Sequence, residues 1–301
     1  MMPQLASPWI VVHDLYHTYM PGTPFACEAL RGVDFELSAG ETVGIVGSTG
    51  AGKSTLLQHL NGLYRPQRGQ VQVLGHDLSD PRLDLRQVRQ LIGLVFQRPE
   101  QQLFAQYVGD DIAYGPRTFG LTGNELRERV RWAMDAVGLD FAAFKDRLTW
   151  TLSGGEQRKA ALAGVLALQP QVLILDEPTA GLDPQARREL LSHLEELRSE
   201  GIGLVVASHN MEDIAILTER VYVLHEGRVV LQGPTRQVLM QVARLRELGL
   251  DAPPAVAILD ALRARGLPLP ANALTLEEAE GAIVAWLRER ELQACQICHR
   301  R

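Results

Sequence analysis

The chain is poor in cysteine and in lysine. The few that occur are Cys27, Cys295 and Cys298, and Lys53, Lys145 and Lys159. Three cysteines in 301 residues are too few for a disulfide scaffold and are typical of a reducing compartment. Because lysine is scarce, a lysine at a chemically special spacing is informative, and Lys53 has such a spacing.

Long apolar runs and an excess of positive charge are also lacking. No stretch approaches the roughly 18 consecutive apolar residues of a membrane span, so we expect any membrane connection to come through a partner. The first residues show no basic segment followed by an apolar run, and we expect no export signal. Lys plus Arg number 30 against 36 Asp plus Glu, which argues against nucleic acid as a partner.

The composition is that of a folded protein, with 46% hydrophobic and 22% charged residues. In the first two thirds, strand-like runs alternate with helical patterns, which predicts an α/β fold with a parallel sheet covered by helices. The predicted strands cover residues 10–16, 33–37, 42–46, 70–74, 92–96, 172–175, 203–207, 221–225 and 228–232. Between the fifth and sixth strands, helices are predicted at 110–119, 122–137 and 156–168.

The strand pattern stops after Gly233, and helices are predicted at 255–265 and 275–290 between proline breakers. We therefore expect a core at residues 1–235, with a helical insertion at about 100–168, and a helical extension at 236–301. Apolar residues recur at helical spacing in the extension, which favours packing over a ligand site.

A glycine-rich segment follows the strand 42–46 and opens a helix. It consists of Gly47, Ser48, Thr49, Gly50, Ala51, Gly52, Lys53, Ser54 and Thr55. The segment fits G-x-x-x-x-G-K-[ST], the P-loop, whose backbone N–H groups and helix N-terminus surround a phosphate. Lys53 then neutralises phosphate oxygens and Ser54 offers a hydroxyl to Mg²⁺. A flexible glycine turn is the alternative, and the strand-loop-helix setting disfavours it.

Two carboxylates, Asp176 and Glu177, end the apolar strand 172–175. In phosphoryl transfer one such acid holds Mg²⁺ and the other faces a water molecule. Asp176 suits the metal and Glu177 the water. The alternative is a buried strand whose acidic end merely meets solvent.

A serine, two glycines and a glutamate, Ser153, Gly154, Gly155 and Glu156, precede the apolar helix 156–168. Ser153 and Glu156 fit S-x-x-E, a capping box. The two glycines leave backbone N–H groups uncovered at the positive end of the helix, so the same cap can hold a phosphate. We call residues 153–156 the signature segment.

Gln97 and His209 each follow a predicted strand, at the sheet edge where α/β proteins bind ligands. Either can be a polar strand end, with Ser208 or Asn210 capping the next helix. The order along the chain decides between these interpretations. The P-loop, Gln97, the signature segment, Asp176-Glu177, Ala180-Gly181-Leu182-Asp183 and His209 resemble, in this order, an ABC transporter ATPase subunit over residues 9–235.

The resemblance implies an α/β P-loop NTPase (ABC ATPase) core with a mixed sheet, a helical insertion subdomain and a C-terminal helical extension. It also implies a head-to-tail dimer in which two ATP molecules lie between the P-loop of one subunit and the signature segment of the other. Glu177 resembles the general base, His209 the switch histidine on the γ-phosphate, and Asp183 the residue that links the two sites.

Further roles follow from the same resemblance. Tyr19 resembles the aromatic residue that stacks on adenine, with Tyr16 as the alternative, and Gln97 resembles the lid glutamine that reaches Mg²⁺. Ser153 and Gly155 would contact the partner's γ-phosphate. Glu156 departs from the family, which most often has Gln there; a side chain turned back onto Ser153 would keep the electrostatic cost modest.

A finer similarity joins the chain to the ATPases of energy-coupling factor transporters, most of all to the second ATPase of the heterodimeric type. It rests on residues 19–25, 57–63, 95–104, 111–116 and 163–167 and on the long tail. In that family a short helix after the lid glutamine lines a groove for a transmembrane coupling subunit. The matching residues are Pro99, Glu100, Gln101, Gln102, Leu103 and Phe104, which we call the groove segment.

The similarity implies ATP and Mg²⁺ as ligands and a peripheral location on the cytoplasmic face of the cell membrane. It implies a second ATPase subunit (a copy of this chain or a paralogue), a coupling subunit and, through it, a substrate-binding membrane subunit as partners. The tail, including residues 245–253, resembles a dimerisation extension. The function expected is ATP-driven uptake of a vitamin or transition-metal ion.

Other functions were weighed on the same residues. A conventional ABC importer or exporter ATPase is the main alternative, separated by the groove segment and the tail. A soluble ABC-type ATPase of DNA repair would need a long coiled coil between the P-loop and the signature segment, and the sequence has no room for one. The string Cys295-Gln296-Ile297-Cys298-His299 fits a haem attachment site, which requires export, so we expect an ordinary tail.

Overall fold

The computed structural model describes residues 8–270 and 273–298, with the side chains of residues 99, 100 and 291–298 outside that description. Within this described part of the chain, ten strands form two sheets. They are β1 (Ile10–Tyr19), β2 (Cys27–Leu37), β3 (Thr42–Val46), β4 (Arg68–Val73), β5 (His76–Asp77), β6 (Ile92–Val95), β7 (Val172–Asp176), β8 (Gly203–Ala207), β9 (Arg220–His225) and β10 (Arg228–Pro234). The predicted α/β class is confirmed.

Helices cover the sheets and follow them along the chain as far as Cys298, the last residue described. They are α1 (Lys53–Leu60), α2 (Leu85–Leu91), α3 (Val108–Thr118), α4 (Gly123–Asp135), α5 (Phe141–Phe144), α6 (Gly154–Leu166), α7 (Pro184–Ser199), α8 (Met211–Leu217), α9 (Thr235–Leu239), α10 (Val242–Glu247), α11 (Pro254–Ala264) and α12 (Leu276–Cys298). Short 3₁₀ helices lie at Pro99–Gln102 and Thr149–Thr151.

The larger sheet has the strand order β10-β9-β3-β8-β7-β6, parallel except for β10, which makes it a mixed sheet. β3, β7 and β8 are buried along their whole length, because one face packs on α1 and on strands of the smaller sheet and the other on helices that include α6, α7 and α8. Their carboxyl ends lie side by side, with Asp176 paired with Ala207 and Ala207 paired with Ile45. Segments that follow these strands therefore emerge at one edge of the sheet.

The smaller sheet is antiparallel, in the order β2-β1-β4-β5. The prediction ended β1 at Tyr16 and began β2 at Val33, but the strands run on to Tyr19 and start at Cys27. The difference has a physical cause: the pairing of β1 with β2 contains register shifts, and Asp14 adopts a positive φ of 46°. A bulged strand loses the strict alternation that reveals strands in a sequence. The additional residues of β1 bring Tyr19 close to the P-loop.

Helices α3 to α6 lie between β6 and β7, and α3, α4 and α6 correspond to the three helices predicted there. Their facing sides share one hydrophobic cluster, which includes Ile112, Val130, Met134, Leu162 and Leu166, and this cluster continues under the larger sheet. Burial of such apolar surface stabilises the packing by about 25 cal/mol for each Å² removed from water. The insertion therefore sits firmly on the core and carries the signature segment at the start of α6.

Helices α11 and α12 correspond to the two helices predicted in the tail. They enclose a small cluster of their own around Ala255, Leu259, Leu269 and Ala279. Helices α2, α5, α7, α9 and α10 were not predicted, because they are short or lie beside stronger motif signals. Among the described residues, no helix combines the length and apolarity that a bilayer crossing requires.

Candidate functional site

The P-loop joins the buried end of β3 to the start of α1. Its last glycine, Gly52, has a φ of 105°, and a Cβ there would lie 2.6 Å from the carbonyl oxygen of Ala29. A Cβ at Gly47 would lie 2.4 Å from the carbonyl oxygen of Leu224. Both positions therefore require glycine, because the loop runs in close contact with neighbouring backbone. All nine loop residues line one cleft, and a loop of this kind binds phosphate through its backbone N–H groups.

Lys53 folds its side chain back over the loop. Its Nζ donates to the carbonyl oxygens of Gly47 at 2.7 Å and Ser48 at 3.3 Å. The ammonium group is thus held at the mouth of the loop, where a bound phosphate would meet it. The lysine that the sequence singled out by its spacing thus lies at the P-loop, and its role as a phosphate ligand stays a prediction.

Asp176 ends β7 beside the P-loop and is 6% exposed. Burial raises the pKa of its carboxyl group, and a hydrogen bond with Ser54 opposes that effect. The hydroxyl of Ser54 and the carboxylate of Asp176 therefore lie within bonding distance of each other. Together they present hard oxygen atoms at the carboxyl edge of the sheet.

Glu177 follows Asp176 with a positive φ of 52°, a conformation unusual for a residue other than glycine. Its backbone N–H donates to Ala207 on the neighbouring strand at 2.8 Å. Its Oε2 accepts from His209 Nδ1 at 2.7 Å and from the His209 backbone N–H at 3.3 Å. The ring of His209 is largely exposed, while the carboxylate of Glu177 is buried.

The two tyrosines considered for adenine stacking are placed differently. Tyr19 lies beside the P-loop, with its hydroxyl 3.0 Å from Thr55 Oγ1 and its ring edge-on to His17. Burial raises the pKa of its phenol group. The guanidinium of Arg68 covers the ring of Tyr16, at 4.3 Å from the ring centroid.

One cleft of about 950 Å³ gathers most of the predicted residues. We call it the P-loop cleft. It is lined by Tyr19, Gly47, Ser48, Thr49, Gly50, Ala51, Gly52, Lys53, Ser54, Thr55, Gln97, Asp176, Glu177 and His209. Tyr16 is not among its lining residues. Residues from four parallel strand ends and from β1 therefore meet in one concavity large enough for a nucleotide.

The signature segment forms the capping box expected from its sequence. Ser153 precedes α6; its Oγ accepts from Glu156 N–H at 3.3 Å, and its own N–H donates to Glu156 Oε2 at 2.7 Å. That N–H bond, with a further contribution from Arg147 at 3.1 Å, lowers the pKa of Glu156. The side chain of Glu156 thus turns back onto Ser153.

The signature segment does not reach the P-loop cleft of the same chain. Gly154, Gly155 and Asp183 line a separate cleft of about 490 Å³. Asp183 caps α7 by accepting from the N–H groups of Ala186 and Gln185, both at 2.9 Å, and these bonds lower its pKa. A Cβ added at Gly154 or Gly155 would meet no heavy atom of the described residues within 4 Å.

The groove segment begins with the 3₁₀ helix Pro99–Gln102. The side chain of Gln102 turns inward, accepting from Phe96 N–H at 3.0 Å and donating to Leu94 O at 3.3 Å, and Leu103 packs on the core. Gln101 and Phe104 are exposed. The side chains of Pro99 and Glu100 lie outside the described residues.

Several residues of the P-loop cleft were not predicted. They are Cys27, Glu28, Ala29, Arg31, Glu226, Gly227, Gly249, Leu250 and Asp251. Most come from β2 and the β9–β10 turn, which only the assembled sheets bring near the P-loop. The last three belong to the tail, and no spacing in the sequence relates them to the cleft. The side chains of Cys295 and Cys298, and all of His299, lie outside the described residues.

Comparisons with known proteins agree with this geometry. Residues 30–180 match the family described as ABC transporter. The chain is 50% identical to the energy-coupling factor transporter ATP-binding protein EcfA2 of Symbiobacterium thermophilum, over 94% of this chain and 98% of that protein. It is 42% identical to the protein of the same name from Clostridium perfringens, over 93% and 98% of the two chains.

The fold is similar to those of two solved ABC transporter proteins. CbiO1 from Clostridium perfringens, described as part of the ABC transporter complex cbiONQ, superposes with a TM-score of 0.71 at 35% identity, over 84% of this chain and 99% of that one. The dimeric ATP-binding cassette MJ0796 bound to ADP and Pi superposes with a TM-score of 0.69 at 27% identity, over 75% and 99%. The chain therefore belongs to the ABC transporter ATPases, and among them to the ATP-binding proteins of energy-coupling factor transporters, which couple ATP hydrolysis to transport.

Proposed function

We propose that this chain binds and hydrolyses Mg²⁺-ATP at a site shared with a second ATPase subunit. Closure of the two subunits on ATP would drive uptake of a vitamin or transition-metal ion through a transmembrane coupling subunit. The observation that carries the proposal is the convergence in one cleft of Lys53, Asp176, Glu177 and His209 with the P-loop glycines. Each of these groups has a defined task in phosphoryl transfer.

The P-loop cleft supports ATP binding at both ends of the nucleotide. Tyr19 offers an aromatic face for adenine, fixed by its hydrogen bond to Thr55. Lys53 and the N–H groups at the start of α1 offer positive charge for the β- and γ-phosphates. Glu177 is placed to orient and deprotonate the attacking water, and His209 to contact the γ-phosphate.

The residues present fit a magnesium ion. Mg²⁺ prefers oxygen ligands, and Ser54 and Asp176 present theirs side by side, with the amide of Gln97 lining the same cleft. The raised pKa of Asp176 is the expected signature of a buried carboxylate whose charge a cation would stabilise. Bound there, Mg²⁺ would neutralise charge on the phosphate oxygens. Ser54, Asp176 and Gln97 would hold it in position.

The open space at Gly154 and Gly155 supports a composite site. Nothing within the described chain requires glycine there, since an added Cβ would have room and neither residue has a positive φ. A close approach by a group from outside the chain explains the absence of side chains. The γ-phosphate bound to a partner's P-loop fits this place, with Ser153 as a further donor and Asp183 nearby on the same cleft.

The groove segment supports contact with a membrane subunit. Phe104 is 66% exposed and Tyr114 is 52% exposed, and their rings meet edge-to-face at 4.8 Å. The backbone N–H groups of Phe104 and Ala105 donate to Asp111 at 2.9 and 2.7 Å, which fixes the segment on α3. A rigid, exposed aromatic pair is suited to receive an apolar helix from a partner. The protein would then be peripheral on the cytoplasmic face of the cell membrane.

Purification of the tagged full chain from native membranes in mild detergent tests the proposal. We expect a second ATPase and a small multi-span membrane protein to co-purify, with ATP hydrolysis by the complex. Phe104→Asp should lose the membrane protein and keep the second ATPase. Phe25→Asp, which changes an aromatic residue of similar exposure in the β1–β2 hairpin, should keep both.

Two results would overturn the assignment. Recovery of two large permease domains with an extracytoplasmic binding protein would make this chain a conventional importer ATPase. A complex that binds no ATP would refute the proposal that this chain hydrolyses ATP.

A further inference from the structure

A buried carboxylate joins three segments of the site described above. Asp213 is fully buried in the first turn of α8. Its Oδ1 accepts from Arg187 Nε at 2.6 Å, and its Oδ2 accepts from the hydroxyl of Thr179. A second guanidinium nitrogen of Arg187, Nη2, donates to Glu212 Oε2 at 2.9 Å. We call Thr179, Arg187, Glu212 and Asp213 the Asp213 network.

Each member of the network stands close in sequence to a residue of the site. Thr179 is two residues beyond Glu177. Arg187 lies in the first turn of α7, four residues after Asp183. Asp213 lies four residues after His209, and Asn210 between them caps α8 by accepting from the N–H groups of Glu212 and Asp213. The network therefore ties the segment carrying Asp183 to the segment carrying His209.

Stability alone does not account for the network. A buried ion pair must repay the desolvation of two charges, and apolar residues in its place are often neutral or stabilising. The junction already has apolar packing, since Leu190 and Leu191 of α7 and Met211 and Ile214 of α8 belong to one hydrophobic cluster. The guanidinium of Arg187 donates to two carboxylates of α8. Because it is planar, it fixes the orientation of α8 relative to α7 as well as the distance between them.

We propose that Arg187 and Asp213 are positioning residues that couple the Asp183 segment to His209. A displacement of the Asp183 segment would move Arg187 and, through Asp213, the start of α8 and the adjacent His209. His209 in turn contacts Glu177 through both its ring and its backbone N–H. Closure of a partner subunit on Asp183 would thereby set the hydrolytic groups in the cleft of the same chain. This inference rests on the proposed function.

The test replaces the ion pair with apolar groups of similar size. The double variant Arg187→Met, Asp213→Leu should fold, because it removes both charges of the buried pair, and Glu212, which loses the contact with Arg187, is partly exposed. We expect its affinity for ATP to stay within roughly twofold of wild type and its kcat to fall by roughly tenfold or more. Arg187→Lys keeps the positive charge but not the planar guanidinium, so its kcat should lie between those of the double variant and wild type. Arg188→Gln, the same charge removed from an exposed neighbour on α7, should match wild type.

A folded double variant with wild-type kcat would overturn the inference, and so would a loss of ATP affinity in proportion to kcat. Hydrogen exchange with and without ATP supplies a readout that needs no hydrolysis. In the wild-type chain, residues 179–187 and 208–214 should gain protection together; in the double variant they should respond independently. If they still respond together, the coupling does not run through this pair. Failure of the wild-type complex with its second ATPase subunit to hydrolyse ATP would instead refute the proposed function, while the exchange data would still decide the coupling.

Discussion

Glu177 and His209 form a direct hydrogen bond, with Glu177 Oε2 at 2.7 Å from His209 Nδ1. An ionised carboxylate only accepts, so the ring nitrogen is the donor. The oxygen that would activate a water molecule is thus engaged by the side chain that would bind the γ-phosphate. Hydrolysis would require His209 to exchange this contact for the phosphate, which ties activation of the base to the presence of ATP.

Glu177→Gln should arrest hydrolysis and preserve ATP binding. The amide keeps the shape of the side chain but cannot take a proton from water, and loss of a general base costs roughly 10²- to 10⁴-fold in rate. Steady-state hydrolysis and nucleotide binding by the purified complex measure the two effects. Glu200→Gln, at an exposed position at the end of α7, is the matched control. Wild-type turnover by Glu177→Gln would show that another group is the base.

Glu156→Gln should retain both stability and activity, whereas Glu156→Ala should still fold but be less stable. The amide oxygen of Gln can still accept from Ser153 N–H, so the capping box survives. Alanine removes that bond and the favourable charge at the start of α6, at a cost of about 1 kcal/mol. Because the pKa of Glu156 is lowered in the fold, its contribution is present above the unfolded pKa and is lost as pH falls through the folded one.

Urea unfolding at neutral pH compares the stabilities of the two Glu156 variants, and the ATPase rate of each complex compares their function. Equal destabilisation by glutamine and alanine would mean that the charge, and not the hydrogen bond, holds the signature segment.

His59 should make the protein sensitive to mild acid. His59 lies in the last turn of α1, where burial lowers its pKa to about 4 from 6.5, and its Nδ1 donates to Thr55 O at 2.7 Å. The unfolded chain therefore binds more protons than the folded one between about pH 6.5 and pH 4, so stability falls as pH falls through that range. From about pH 7.5 to about pH 5 the loss due to His59 is about 2 kcal/mol.

His59→Leu removes this titration and keeps the apolar contacts. The difference in unfolding free energy between wild type and variant, measured in urea at the two pH values, isolates His59 from the carboxylates and from His17, whose pKa is also lowered by burial. An equal pH dependence of wild type and variant would contradict the assignment.

The parts of the fold that the sequence predicts well are those with one dominant signal. β3 and β8 have the predicted bounds because both are short apolar runs buried on two faces. The P-loop is equally clear, since Gly47 and Gly52 are required by close backbone contacts within the chain. Strand β1 was predicted three residues short, because its bulge breaks the alternation of buried and exposed positions.

Other features depend on contacts between distant residues. Arg187 and Asp213 are 26 positions apart, and each alone resembles an ordinary charged residue near the start of a helix. The turn at Gly249 to Asp251 reaches the P-loop cleft only because Leu250 packs into the main hydrophobic cluster. Contacts between residues far apart in the sequence leave no local pattern in it. The motifs of the site were therefore predictable, and the contacts that support them were not.

Gly155→Asp tests whether the glycines of the signature segment serve another chain. Within its own chain the change should be tolerated, because a side chain at this position has open space and an acidic residue suits the first turn of α6. Facing a partner's γ-phosphate, the new carboxylate would add like charge and bulk where backbone N–H groups should lie. We expect an unchanged unfolding midpoint, unchanged ATP binding to the P-loop cleft and a loss of hydrolysis of roughly 100-fold or more.

Mixing experiments identify the site that is lost. The complex to be tested combines the Gly155→Asp chain with an unaltered second ATPase subunit. It should lose the ATP site formed by the partner's P-loop and the altered signature segment. It should keep the ATP site formed by the P-loop of the altered chain and the partner's signature segment. Trapped nucleotide, counted per complex after incubation with ATP, should fall from two sites to one. Loss of ATP binding by the altered chain on its own would instead place the signature segment in its own P-loop site, and a dimer would then be unnecessary for hydrolysis.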